Sequence, residues 1–165
     1  MFLIDVIKKE QATGELKLLY KMIERSLGFV PPHFELFATI DIEAMKEFAA
    51  YNQKMAMHEK IDANLLPFLR LEIARKECRE YCMAFNEKMV EALRERSEKP
   101  YDVKQERLLD KVLKALYETS TFTQEDLEEL HKYGFNDKDF YDLLSYSVNF
   151  MAKSKMIDVY LKREA

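Results

Sequence analysis

Apolar side chains recur along this chain at intervals of three and four residues, and no segment of any length alternates with period two. That spacing predicts amphipathic helices from end to end. Residues 14–26 read as a helix with Leu16, Leu19, Tyr20 and Ile23 on one stripe, and Gly28 supplies its stop. Pro31-Pro32 breaks the chain before a short helix over 33–40. Asp41 can cap a helix over 42–59 that carries Met45, Phe48, Ala49 and Met55. Asp62 can open the next, with Pro67 tolerable near its beginning. From there to residue 98 the chain has no glycine and no further proline, so it reads as one very long helix or as two with a break near 76–78. Pro100 ends that segment, and Asp102 opens a helix over 103–119 whose Leu108, Leu109, Val112, Leu113, Leu116 and Tyr117 face a core. Thr123 with Asp126 resembles a capping box for a short helix that stops at Gly134. Asn136 or Asp137 begins a last helix reaching about Leu161. Its apolar residues, among them Phe140, Leu143, Leu144, Tyr146, Val148, Phe150, Met151, Met156 and Ile157, cover more than one face. A helix of that kind is buried on several sides, in a core or between subunits.

The expected fold is therefore all-α, a bundle of about six to seven helices in one domain spanning 1–165. Composition agrees: 48% of the 165 residues are apolar, enough for a core, and only three glycines and four prolines are available for turns. The net charge of −4, with basic and acidic residues interleaved, describes solvated helix faces and argues against nucleic acid as a partner. No apolar run approaches the length of a membrane span, and the first nine residues are too short and too interrupted by Asp5 for a signal peptide. The expected location is the cytoplasm, where the two cysteines stay reduced.

Candidate chemistry is confined to one place, Cys78-Arg79-Glu80-Tyr81-Cys82-Met83-Ala84-Phe85-Asn86. Two thiols in a reducing compartment are either small buried side chains or a reactive dithiol. On an unbroken helix the spacing of four puts both on one face, but with β-carbons ~5–6 Å apart, wider than the ~3.5–4.5 Å a disulfide prefers. Oxidation to a disulfide then requires a distorted or broken helix. Arg79 and Lys76 would favour a thiolate, whereas Glu77 and Glu80 would oppose it. His33, His58 and His131 are scattered, and the cysteines with one histidine give no ordinary zinc spacing. No phosphate loop, dinucleotide fingerprint or serine-hydrolase elbow is present, so no metal and no cofactor is expected.

Three stretches together resemble the alkylhydroperoxidase D-like group of the carboxymuconolactone decarboxylase family. The first is Ala12-Thr13-Gly14-Glu15, then Leu19-Tyr20, then Leu27-Gly28-Phe29-Val30-Pro31; the second runs from Ile61-Asp62 through Leu71-Glu72-Ile73-Ala74 to Glu80-Tyr81-Cys82. The third is Phe122-Thr123-Gln124-Glu125-Asp126, Leu130, Tyr133-Gly134-Phe135-Asn136-Asp137, and Phe150 to Met156. The resemblance implies an all-helical subunit that assembles as a dimer, trimer or hexamer. In peroxidase members it implies a peroxidatic and a resolving cysteine in a Cys-x-Tyr-Cys-x-x-x-His motif, an upstream glutamate in the proton relay, and a dithiol reductant as partner. Transferred residue by residue, Tyr81 and Cys82 match the motif. The first motif cysteine falls on Arg79, with Cys78 one residue early. The histidine falls on Asn86, and the glutamate falls near Pro67, with Glu72 the nearest acid. The candidate site is thus Cys82, Cys78, Tyr81, Asn86 and Glu72.

Three functions remain open on these residues. One is a thiol-dependent, peroxiredoxin-type antioxidant enzyme of weak activity. Another is a non-catalytic oligomeric binding or scaffold protein. The third is a decarboxylase-like enzyme acting on a small ring compound.

Overall fold

A computed structural model describes residues 1–162 and shows eight α-helices: α1 (Gly14–Leu27), α2 (Pro32–Ile40), α3 (Ile42–Ala56), α4 (Leu65–Lys76), α5 (Glu80–Arg96), α6 (Val103–Tyr117), α7 (Gln124–Lys132) and α8 (Asp137–Tyr160). Two short 3-10 turns, Lys9–Gln11 and Thr119–Thr121, complete the regular structure, and no strand occurs among the described residues. The all-helical expectation stands. The count is eight, above six to seven, because the segment over 63–98 is two helices, α4 and α5. None of the described helices is long and apolar enough to cross a membrane.

The residues pack into two units, one formed by Met1–Gln53 with residues 159–162 and the other by Lys54–Asp158. In the first, the chain's two ends meet: Phe2 bridges Leu161, and the Leu3 amide donates to the Tyr160 carbonyl at 2.7 Å. Its core holds Tyr20, Leu36 and Met45, all essentially inaccessible, and a cluster in which the Phe48 ring lies 5.3–6.0 Å from those of His33, Phe34 and Phe37. Burial, with Glu35 adding to it, pushes the Tyr20 phenol up to about 12, and its hydroxyl donates to the Ile7 carbonyl at 3.0 Å.

The second unit holds α4 to α7 and most of α8 around Leu65, Leu69, Ile73, Val90, Leu108, Val112, Leu130 and Leu143, each 2% exposed or less. The sequence's caps explain most helix starts. Asp102 Oδ1 accepts from the amides of Lys104 and Gln105, at 2.9 and 3.0 Å. The Asp126 carboxylate accepts from the Thr123 amide at 2.9 Å. Asn136 and Asp139 exchange reciprocal bonds of 2.9 and 2.7 Å at the start of α8. Asp62 acts one step earlier than expected. It accepts from the Asn64 amide at 2.8 Å, and the helix itself begins at Leu65.

Helix α3 ends at Ala56 rather than 59 because the His58 side chain offers the backbone an alternative. Its Nδ1 accepts from the amides of both Lys60 and Ile61, at 3.2 Å each. That assigns the ring proton to Nε2, which donates to Asp142 Oδ2 at 3.3 Å.

Candidate functional site

The backbone between α4 and α5 decides what the two cysteines can do. After Lys76 the chain closes with two reversed bonds: the Cys78 amide donates to the Arg75 carbonyl at 3.2 Å, and the Arg79 amide to the Ala74 carbonyl at 2.8 Å. This pair is the Schellman closure, and its pivot residue must be left-handed. Cys78 is that pivot, with φ +53°, the one described residue other than glycine at positive φ. Cys78 is therefore exposed in a turn and does not share a helix face with Cys82. The expectation drawn for an unbroken helix is replaced by the break that the sequence left open.

Helix α5 then starts with Arg79 at its N-cap, which puts Cys82 in the first turn. A helix N-terminus carries partial positive charge and favours a thiolate there. The rest of the surroundings oppose it. Cys82 is 3% exposed. Its thiol is pushed up to about 12, first by burial and then by the Asp158 carboxylate, against the smaller pull of Arg79 and Arg70. Arg79 is itself neutralised, since its Nη1 lies 2.9 Å from Asp158 Oδ2 and its Nη2 3.5 Å from Glu77 Oε2.

Asn86 occupies the position one helical turn beyond Cys82, fully buried. Its Nδ2 donates to the Cys82 carbonyl at 2.8 Å, while its Oδ1 accepts from Arg70 Nε at 2.8 Å. Arg70 Nη1 donates in turn to the Tyr146 hydroxyl at 2.6 Å. The structure thus joins Cys82 and Asn86 through the first turn of α5 and adds two residues the sequence reading did not single out, Arg70 and Tyr146. A signal for Arg70 did exist. It is a cation in an otherwise apolar run, Leu65-Leu66-Pro67-Phe68-Leu69-Arg70-Leu71.

Tyr81 lies half-buried in the first turn of α5. Glu72 is not brought to either thiol or to Asn86: it pairs with Arg75 at 3.0 Å on the outer side of α4. Two residues along a helix is about 200° of rotation, so Arg70 and Glu72 cannot face the same neighbour. Pro67 fits early in α4, where its missing amide costs no helical bond. Among the described residues no three of His, Cys, Asp and Glu gather into a group able to hold a metal ion.

The arrangement can hold a neutral thiol, orient a guanidinium, and bury an amide. Asn86, at the position of the motif histidine, donates to the Cys82 carbonyl and does not accept the thiol proton. Comparison with known proteins places the architecture. No family model matches the chain, and no curated protein does. Solved structures do match. A peroxidase-related protein of uncharacterised function from Silicibacter sp. TM1040 superposes with a TM-score of 0.67 at 18% identity, covering 95% of this chain and 85% of the other. An alkylhydroperoxidase AhpD core protein, also peroxidase-related and uncharacterised, from Ralstonia eutropha JMP134 gives 0.69 at 18% identity, covering 98% and 91%. At that identity the likeness is one of fold, and it runs over nearly the whole chain: the helices of this protein are arranged as in the alkylhydroperoxidase D-like proteins.

Proposed function

We propose that this protein keeps the alkylhydroperoxidase D-like fold without the dithiol peroxidase cycle, and that it works in the cytoplasm as an oligomeric binding protein. One observation carries the reading: the Cys82 thiol is buried and pushed up to about 12. Peroxide is attacked by the thiolate, and at neutral pH such a thiol supplies about one thiolate in 10⁵ molecules. Asn86 cannot relieve this, because an amide does not exchange protons near neutral pH. For the same reason it cannot serve as the base of a decarboxylase-like reaction on a ring compound. The test is peroxide consumption by the full chain with a dithiol reductant. The expected rate is far below 1 s⁻¹, about the low end for enzymes. It should stay there in Asn86→His, whose Cys82 remains protonated. Turnover at an enzyme-like rate would overturn the reading.

A second reading rests on Cys78, which is exposed in the turn. Thiol-dependent antioxidant activity of the peroxiredoxin type would run through this one sulfur, with an external dithiol as resolving partner. Cys78→Ser would then abolish any peroxide consumption, and Cys82→Ser would leave it.

The oligomer is a homo-oligomer assembled through the outer face of α8. Tyr141, Leu144, Ser145, Val148, Asn149 and Ala152 line a shallow depression of ≈ 490 Å³ there. Tyr141 is 66% and Val148 52% exposed. The occupant that fits is a second α8 running antiparallel. Ser145 and Ala152 leave room for the larger side chains, and the exposed Asp137 at the start of the helix comes beside Lys153 and Lys155 of the other copy. Sedimentation of Val148→Asp should show the monomer, and wild-type protein that sediments as a monomer at micromolar concentration would exclude the assembly.

A further inference from the structure

Charged groups at the edge of the second unit's core are generally compensated. Asp126 meets Lys111 and Lys114, each at 2.7 Å; Asp139 meets Lys60 at 3.1 Å; Asp158 meets Arg79 at 2.9 Å. Arg70 differs. Its guanidinium is partly buried and makes no ion pair among the described residues. Its two hydrogen bonds go to neutral side chains, Asn86 and Tyr146, which are 1% and 2% exposed. A guanidinium has five N–H donors in a rigid plane, so three remain for another partner. Holding a cation at a core edge with neutral partners alone leaves its charge uncompensated, which costs stability unless an anion completes the site.

We infer that Arg70, held by Asn86 and Tyr146, is a binding site for the carboxylate of a small organic monoanion. The reading rests on the binding role proposed above and names its ligand class. Asn86 takes Nε and Tyr146 takes one proton of Nη1, so the plane is fixed while Nη2 stays open. That geometry suits the planar, forked acceptor of a carboxylate. Charge selects a monoanion. Arg70 supplies one positive charge, and the neighbouring Asp158 and Arg79 offset each other at 2.9 Å, so the site has one charge to match. The position normally given to the motif histidine thus holds an amide that orients the guanidinium. Asn86 and Tyr146 are positioning residues, and Arg70 touches the ligand.

The experiment is thermal unfolding of the full chain against increasing sodium butyrate, sodium benzoate or sodium phosphate, with sodium chloride holding ionic strength constant. A saturable rise in Tm is expected with at least one of the carboxylates, and none with phosphate. Arg70→Gln should remove the rise. Should that variant fail to fold, Arg70→Lys keeps the charge and loses the fork, and its midpoint should move to roughly tenfold higher carboxylate. The inference is overturned by any of three results: no saturable rise in the wild type, an unchanged midpoint in Arg70→Lys, or phosphate saturating at lower concentration than both carboxylates. Peroxide turnover on the same sample reports separately on whether the dithiol cycle is absent.

Discussion

Two helices of the second unit end in the same backbone device with different residues at its pivot. After α7, the Gly134 amide donates to the His131 carbonyl at 2.9 Å and the Phe135 amide to Leu130 at 3.1 Å, with Gly134 at φ +89°. After α4 the same two bonds form around Cys78 at φ +53°. Glycine adopts that conformation freely, whereas a residue with a β-carbon is strained there by ~1–2 kcal/mol. The α7 ending is therefore cheap and visible in the sequence, while the α4 ending is strained and hidden. The hidden turn is also the one that separates the two thiols, exposing Cys78 and leaving Cys82 in the first turn of a new helix. A strained pivot one residue before the motif is where a local rule has been broken, and such places are worth testing for function.

The contrast is sharpest in the thiols themselves. Cys78 is exposed, whereas Cys82 is buried and its thiol pushed up to about 12, so a thiol-labelling reagent at pH 8 should take one equivalent quickly and the second only on unfolding. Cys78→Ser should eliminate the fast equivalent, and Cys82→Ser should leave it. Two fast equivalents in the wild type would contradict the buried, protonated Cys82.

Next in size is the glycine pivot. An added β-carbon at Gly134 meets nothing within 4 Å, so the cost of Gly134→Ala is backbone strain alone. A loss of ~1 kcal/mol is expected, read as a Tm lower by roughly 2–4 °C. The reciprocal change, Cys78→Gly, relieves strain in the fold but loosens the unfolded chain. Its net effect should be smaller and of opposite sign, a gain of less than ~1 kcal/mol in the same measurement. If Gly134→Ala is neutral, the two pivots are not strained alike and the comparison fails.

The smallest effect concerns how α7 begins. Lys111, Lys114 and the Thr123 amide hold the Asp126 carboxylate well below its usual range. A group whose folded value is depressed contributes stability above its unfolded value, and that contribution fades as pH falls through the folded one. Wild-type protein should therefore lose more Tm between pH 5 and pH 2 than Asp126→Asn does. Equal losses would mean that the cluster adds nothing at the N-terminus of α7.

The legibility of the chain follows from the same physics. Where a cap or stop acts through its own side chain or its lack of one, as at Asp102, Asp126, Asn136, Gly28 and Gly134, the sequence placed the boundary within a residue or so. Where a helix ends without such a signal, it did not. His58 stops α3 by taking the amides two and three residues on, with its ring held by Asp142, 84 positions away. At the site, the sequence could place Cys82 and Asn86 one helical turn apart, which is a local matter. It could not supply Arg70, 16 positions from Asn86, or Tyr146, 76 positions from Arg70, which are joined through packing of α4, α5 and α8.

By itself the sequence determined that the chain is helical, where most helices begin and end, and that the histidine of the resembled motif is an amide here. Those are properties of periodicity, caps and residue identity, all fixed within one or two helical turns. Tertiary structure alone decided that Cys78 lies outside a helix, that Cys82 is buried beside Asp158, and that Arg70 stands without a counter-charge among the described residues. Thiol ionisation and charge compensation depend on solvent exclusion and on neighbours brought together from distant parts of the chain, and these exist only once the helices have packed.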